Sequence, residues 1–257
     1  MAISYVASSL NIGGDQGSVQ VNVSWPTAVP TTNRQIAILQ AVVKDSSAQF
    51  TDPPGWRKIG EQAGGTGAAA DDLGTTKVAA WYRMLDGTEL IFVDVVVAND
   101  VGVSSAGGIF MYAPSDGSSF AGPIFVSGSD DTHGADFNPT GFAAWDEAIQ
   151  PGDFILAVAA LDTDGLGAFS NQTLAQTGIV FSTNHSQWGR VVSRSTTGFD
   201  CGLHSYAWPV ISGSNTNAPT YSHNTTTESC GPMMLIRLHE DEVIGSATFG
   251  RQTIVGP

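Results

Sequence analysis

The chain has 257 residues, and 42% of them are apolar, so it is long and apolar enough to bury a sizeable core and is not disordered throughout. Charged residues make up only 13%, and 24 acidic against 10 basic side chains give a net charge of −14. Nucleic acids and anionic membrane surfaces attract clustered cations, so this balance argues against both as partners.

Short runs of β-branched and aromatic residues recur along the chain, separated by clusters of Gly, Pro, Asn, Asp and Ser, which predicts strands almost throughout. In chain order the predicted strands are 3–7, 18–24, 35–44, 56–62, 77–85, 90–98, 106–113, 124–127, 153–161, 177–182, 188–193, 201–210, 220–223 and 232–239. The one segment with the pattern of a helical turn is 142–149, and the acidic stretch 127–138 is predicted as a loop. The sequence therefore predicts an all-β protein.

The two halves of the chain show the same succession of patterns: an apolar run, an aromatic run, and a last run that begins with small residues. Trp81 and Tyr206, in the aromatic runs, are 125 residues apart, and so are Ile109 and Met234. A spacing of this size excludes short-period solenoids and propellers. It predicts two pseudo-repeated halves folded face to face as a single jelly-roll-like antiparallel β-sandwich over residues 1–239, followed by a C-terminal arm or tail at 240–257. Chance similarity between short apolar strands is the alternative.

The N-terminus has no cationic start followed by a continuous apolar stretch, so it does not match a secretory signal, and no apolar run is long enough to span a bilayer. We therefore expect synthesis in a cytosol. In that compartment Cys201 and Cys230 are expected to be two reduced, half-buried thiols, with a single disulfide between them as the alternative.

No motif of nucleophilic catalysis is present, since there is no G-x-S-x-G elbow and the two cysteines would meet a histidine only through folding. The acidic stretches 130–136 and 162–165 offer oxygen ligands for calcium, but neither is a complete EF-hand loop, and acidic turn residues also bind backbone N–H groups. The histidines show no zinc spacing. We expect no enzymatic activity, no cofactor and no metal, and calcium at an acidic loop stays open as an alternative.

Tryptophans at the ends of predicted strands or in loops are the candidate contacts with a ligand or partner. Trp56, Trp145 and Trp188 hold such positions, where an aromatic ring can stack on a sugar. The alternative is that these rings simply cover the rim of the sandwich. Trp81 and Trp208 lie inside predicted strands and are core candidates.

An ordered set of motifs carries a resemblance to a known family. The set comprises Asp52-Pro53-Pro54-Gly55-Trp56, then Val78-Ala79-Ala80-Trp81-Tyr82-Arg83, then Gly107-Gly108-Ile109-Phe110-Met111-Tyr112, then Gly152-Asp153-Phe154-Ile155-Leu156-Ala157, and a closing strand at 233–238. Over residues 18–239 it resembles the β-sandwich modules of tailed-bacteriophage virion proteins of the minor tail or tail-fibre type. The segment 245–254 is similar to the G-S-A-x-F-G-x-x-T segments of phage minor tail proteins, which adds Phe249 and Arg251 as candidate partner contacts.

The resemblance implies a structural protein of a phage particle, tail-associated or involved in adsorption, that acts through protein–protein contacts. Its expected partners are other virion proteins and further copies of itself around a symmetry axis. A capsid decoration protein or head fibre is one alternative, and a carbohydrate-binding module for host surface glycans is another. The implied location is the virion, after synthesis in the host cytoplasm.

Overall fold

The computed structural model describes residues 3–12, 20–26, 34–66, 75–86, 95–98, 104–115, 118–161, 169–183, 186–193 and 201–241. Within these ranges the chain is all-β, as predicted, and the strands in chain order are β1 (Ser4–Ile12), β2 (Gln20–Val23), β3 (Ile36–Lys44), β4 (Arg57–Gly64), β5 (Thr76–Met84), β6 (Val95–Ala98), β7 (Ser105–Ala113), β8 (Ser119–Phe120), β9 (Ile124–Phe137), β10 (Phe154–Leu161), β11 (Phe169–Ala175), β12 (Val180–Phe181), β13 (Ser186–Ser193), β14 (Cys201–Ser212), β15 (Thr220–Leu238) and β16 (Glu240–Asp241). Among the described residues no helix has the length and apolar character needed to cross a membrane.

The first sheet has the order β1-β7-β3-β5-β4, and its strands pair antiparallel. Its middle strand, β3, is buried along all nine residues, which explains why this run is apolar on both faces. Leu39 on β3 lies opposite Trp81 on one side and Ile109 on the other.

The second sheet is centred on β15-β10-β14, again antiparallel. The outer strands β9 and β11 both pair with β15, and β12 and β13 both pair with β14. Its middle strand, β10, is likewise buried along its whole length. Two short antiparallel pairs, β2 with β6 and β8 with β16, complete the described structure. The predicted arm therefore begins, at Glu240 and Asp241, as a strand.

Both sheets contain the same succession of strands: β1-β7-β3-β5-β4 in the first corresponds to β9-β15-β10-β14-β13 in the second. Trp81 and Tyr206 hold corresponding positions, opposite Leu39 and Ala157 on the two middle strands. The 125-residue spacing does not hold for Ile109 and Met234. Ile109 lies opposite Leu39, but the residue on β15 that lies opposite Ala157 is Leu235 rather than Met234.

Three apolar clusters cover both faces of both sheets. The central core lies between the sheets and joins, among others, Ile36, Ile38, Phe110 and Tyr112 of the first to Leu156, Leu203 and Ile236 of the second. A second cluster covers the other face of the first sheet and includes Trp25, Phe50, Trp56 and Trp81. A third cluster covers the other face of the second sheet and includes Trp145, Ile149, Leu174, Trp208 and Tyr221. Since about 25 cal/mol is gained per Å² of apolar surface removed from water, these three layers are the main source of stability.

Several segments differ from the sequence-based expectation. Residues 142–149 form no helix, because Phe142, Trp145 and Ile149 pack onto the third cluster from an irregular segment with a bridge from Ile149 to Asn215. The acidic stretch 127–138 is mostly strand and not loop, since β9 continues to Phe137 beside β15. Strand β15 also merges two predicted strands, and β11 falls outside the predicted ones.

Two of the three lysines are buried. Lys44 at the end of β3 is 0% exposed, and Lys77 on β5 is 5% exposed, with its ammonium group donating to the carbonyl of Ala48. Lys58 keeps its side chain partly exposed and pairs with Glu61, with 2.7 Å between Nζ and Oε2. The protein therefore holds two ammonium groups in its interior and presents one at its surface.

Candidate functional site

A groove of about 700 Å³ opens on the outer face of the second sheet. It is lined by β11, by the segment that follows it up to Thr183, by Trp208 on β14, and by Ala218 and Thr220. Trp208 is 3% exposed, so its indole forms the buried base of the groove, whereas Val180 is 54% exposed at its rim. The groove thus combines an aromatic base with an open mouth.

A tight turn after β11 shapes one side of the groove. The N–H of Ile179 donates to the carbonyl of Gln176 at 3.0 Å, and Gly178, the third residue of this turn, has a φ of +80°. Glycine adopts such a φ without steric cost. Gly213 lies against this turn, because a Cβ built on it would be 2.0 Å from the carbonyl oxygen of Gly178. Both residues of this contact, Gly178 and Gly213, therefore need to be glycine.

A network of amide side chains holds the turn in place. Gln176, which is 6% exposed, accepts a hydrogen bond at 3.1 Å from the indole N–H of Trp145. Its Nε2 donates at 2.7 Å to Oδ1 of Asn215, whose own Nδ2 donates at 2.8 Å to the carbonyl of Thr177. Because these groups are satisfied within the protein, they fix the backbone of the groove before any ligand arrives.

Aromatic rings continue from the base of the groove across the sheet. The centroid of Trp208 is 5.8 Å from that of Tyr206 and 5.8 Å from that of Tyr221. Further along, the hydroxyl of Tyr221 lies 2.9 Å from Nδ1 of His223, whose ring stacks on Phe137 with 5.0 Å between centroids. Burial lowers the pKa of His223 from 6.5 to about 3 and raises the pKa of Tyr221, so both are neutral at physiological pH.

Two of the tryptophans singled out in the sequence are buried. Trp56 ends the turn that begins at Pro53, with its N–H 3.1 Å from the Pro53 carbonyl oxygen and Gly55 at a φ of +80°. Its ring is 8% exposed and lies 5.6 Å from that of Trp25, between centroids. Trp145 is 3% exposed and is held by Gln176. Neither ring offers an open face to a ligand, and Trp145 instead supports the groove from behind.

The other candidate contacts lie elsewhere. Trp188 belongs to β13, but its side chain lies outside the described residues, and Phe249 and Arg251 lie wholly outside them. Trp208, a core candidate in the sequence, is buried in the third cluster and also lines the groove. At 3% exposure, Trp208 can offer a ligand only a small part of its ring.

In the acidic stretch 130–136, one carboxylate is occupied by hydrogen bonds from backbone N–H groups. Asp130 accepts hydrogen bonds from the N–H of Thr132 at 2.9 Å and from the N–H of Asn138 at 2.6 Å. Within the described residues no group of three or more His, Cys, Asp or Glu side chains is placed to hold a metal ion. The second acidic stretch, 162–165, lies outside these residues.

Both cysteines are reduced thiols, but the expectation of half-buried thiols is wrong. Cys201 and Cys230 are each 0% exposed, because their strands β14 and β15 lie in the middle of the second sheet. The thiol of Cys201 donates to the carbonyl of Ser104 at 3.3 Å. Thiols in such surroundings behave as small apolar side chains.

The chemistry of the groove suits an uncharged, hydroxyl-rich ligand. None of the described lining residues carries a charge, and the lining includes amide and hydroxyl side chains such as Gln172, Thr173 and Ser182 beside Trp208. An apolar aromatic base with a few polar groups is the usual composition of a small-molecule site. Comparison with protein-family models, with curated proteins and with solved structures finds no match for this chain.

Proposed function

We propose that this protein is a non-enzymatic structural component of a tailed-bacteriophage particle, tail-associated or involved in adsorption. The observation that carries the proposal is the place of the resembling motifs in the fold. The Pro53–Trp56 turn leads into β4, the Trp81-Tyr82-Arg83 motif lies near the end of β5, and the run from Gly107 to Tyr112 lies in β7. The motifs that carry the resemblance therefore lie together in the framework of one sheet, which supports the proposal.

We also propose, at finer detail than all-β, a single jelly-roll-like sandwich with two pseudo-repeated halves. The corresponding strand order of the two sheets and the central core between them support this architecture. Such a unit has both sheets covered by apolar clusters, which suits a particle protein that assembles as a homo-oligomer through its rims and its C-terminal arm.

Localisation in purified particles tests the proposal. We expect an antibody against the protein to label tails in electron micrographs, and a particle lacking the protein to lose its tail structure or its adsorption. Labelling of the head would instead support the alternative of a capsid decoration protein or head fibre. Absence of the protein from purified particles would exclude both.

Assembly through the arm has its own test. A truncation after Asp241 keeps β16 and removes 242–257, including Phe249 and Arg251. We expect the truncated protein to fold with an unchanged circular dichroism spectrum and to lose incorporation into particles. Normal incorporation of the truncated protein would show that the arm is not required for assembly.

A second candidate function is the binding of neutral glycans in the groove at Trp208, because its lining is aromatic, hydroxyl-rich and uncharged. Ala218 is exposed on the lining, so Ala218→Trp should fill the mouth without disturbing the core. The matched control is Ile211→Trp, since Ile211 is 57% exposed on β14 and does not line the groove. On an array of host polysaccharides, we expect signal from the wild type and from Ile211→Trp and none from Ala218→Trp. No signal from the wild type would exclude this function.

A further inference from the structure

Accessible positive charge is scarce on this acidic protein. Of the basic side chains in the described residues, Lys44, Lys77 and Arg237 are buried. Lys58 is neutralised by Glu61 at 2.7 Å and lies 3.9 Å from Asp52. The guanidinium groups outside this buried set are therefore few among the described residues, on a protein with a net charge of −14.

Two of these guanidinium groups share one pocket. A cavity of about 420 Å³ lies where β4 begins and β5 ends, and it is lined by Gly55, Arg57, Tyr82, Arg83, Met84 and Gly122. Arg57 lies directly opposite Tyr82 in the sheet, so their side chains share a face. Arg83 reaches towards the turn, where its Nη1 would be 3.6 Å from a Cβ built on Gly55. None of the described residues that line the pocket carries a carboxylate.

The other walls of the pocket are apolar or bare backbone. Tyr82 is half-buried, and Met84 is 40% exposed. A Cβ built on Gly122 would lie 3.5 Å from the hydroxyl of Tyr82, so this hydroxyl lies beside the bare backbone of the glycine. Within the described part of the chain, the Arg57 side chain has neither a hydrogen bond nor an ion pair to hold it. A cation that lines a cavity and has no partner among the described residues is suited to an external anion.

We propose that this pocket binds the carboxylate of an organic anion of the acidic-sugar class. A guanidinium group matches a carboxylate with two parallel hydrogen bonds, and two guanidinium groups favour a full negative charge. Tyr82 and Met84 give the ring of the sugar an apolar surface, which an inorganic phosphate ion would not use. The site is separate from the groove at Trp208, whose lining is uncharged, and it does not depend on the proposed role in a phage particle.

Isothermal titration with matched sugars tests the proposal. D-glucuronate and N-acetylneuraminate are the acidic probes, D-glucose is the neutral counterpart of glucuronate, and inorganic phosphate is the competing source of an oxyanion. The variants are Arg57→Gln and Arg83→Gln. The control is Lys58→Gln, which removes one positive charge from the neighbouring position of β4 without altering the pocket lining. Melting temperatures verify that all variants fold.

We expect at least one acidic sugar to bind and glucose not to bind. Each arginine variant should raise the dissociation constant about tenfold or more, because a charge-assisted hydrogen bond is lost, while Lys58→Gln should stay within about twofold. The proposal fails if neither acidic sugar binds, if phosphate binds more tightly than both, or if Lys58→Gln weakens binding as much as the arginine variants. Unchanged binding by folded Arg57→Gln and Arg83→Gln would equally overturn it.

Discussion

The guanidinium group of Arg237 and the carboxylate of Asp153 form a buried ion pair, with 2.6 Å between Nε and Oδ2. Arg237 is 3% exposed and Asp153 is 1% exposed. The carboxylate also accepts the N–H of Gln150 at 2.9 Å and lies 2.7 Å from Nδ1 of His239. One carboxylate thus ties the segment before β10 to the end of β15.

Removal of this carboxylate should be strongly destabilising. Asp153→Asn leaves the buried guanidinium group of Arg237 with only the solvent-exposed carboxylate of Glu147 as its counter-charge, which costs about 3–5 kcal/mol. The matched control is Glu147→Gln, because Glu147 contacts the same guanidinium group at 3.1 Å but its side chain is 68% exposed. An exposed partner contributes about 0–1 kcal/mol. Urea unfolding measures both values, and equal losses for the two variants would contradict the role given to Asp153.

The neutral, buried His223 should make the protein less stable in acid. Its pKa is about 3 in the folded protein and 6.5 when the side chain is fully hydrated, as in the unfolded chain, so the unfolded chain takes up the proton first as the pH falls. Above pH 6.5 the neutral side chain causes no loss of stability. Between pH 6.5 and 3 the free energy of unfolding falls by about 1.4 kcal/mol for each pH unit. Urea unfolding at pH 7, 6, 5 and 4 measures this slope.

The variant His223→Gln isolates this contribution, since the background from carboxylates is common to both proteins. We expect a shallower loss of stability for the variant below pH 6.5. Identical slopes would show that His223 does not remain neutral in the folded state.

The close contact between Gly213 and Gly178 should make glycine obligatory at position 213. Gly213→Ala places a Cβ 2.0 Å from the Gly178 carbonyl oxygen at a φ of +95°. Gly152→Ala is the matched control, because Gly152 has a φ of +96° and open space around its Cβ position. The control should cost about 1–2 kcal/mol through backbone strain, and Gly213→Ala at least about 1 kcal/mol more, through the clash. Equal melting temperatures for the two variants would show that the contact relaxes freely.

An apolar side chain at Gln40 should stabilise the protein. Gln40 lies on β3 between Ile38 and Val42 of the central core, and neither of its amide atoms has a hydrogen-bond partner among the described residues. Gln40→Met keeps the length of the side chain and should raise the free energy of unfolding by about 1–2 kcal/mol. Gln62→Met should do the opposite, since Gln62 accepts a hydrogen bond from Ser127 at 2.7 Å. A lower melting temperature for Gln40→Met would mean that the amide is satisfied in solution.

Strands that are buried on both faces could be predicted from the sequence, because their apolar runs are unambiguous. Strands β3 and β10 lie where the apolar runs place them. Strand β11 was missed because Ser170, Asn171 and Gln172 give it a polar sequence and its place in the sheet comes from pairing with β15. The predicted helical turn at 142–149 was wrong because spacings of three and four residues between Phe142, Trp145 and Ile149 imitate a helix, while tertiary packing decides the conformation.

The candidate sites could not be predicted from local sequence, because each is assembled from distant segments. The groove combines β11, Trp208 and Thr220, and the arginine pocket joins Arg57 to Arg83 and Gly122. The sequence also could not show which tryptophan side chains are exposed. A tryptophan at the end of a strand gives the same sequence pattern whether or not a neighbour such as Trp25 covers it. Only the pairing of the strands decides which side chains meet.

The burial of Lys44 and Lys77 has a practical consequence for mapping the neighbours of this protein in an assembly. Lys58 is the one lysine whose side chain reaches solvent, at 32% exposure, and it is engaged with Glu61. Cross-linkers directed at lysine side chains will therefore report on a single point of the surface. The chain has 24 acidic residues, and although Asp130 and Asp153 are buried, reagents that couple carboxylates will give the denser network of distance restraints.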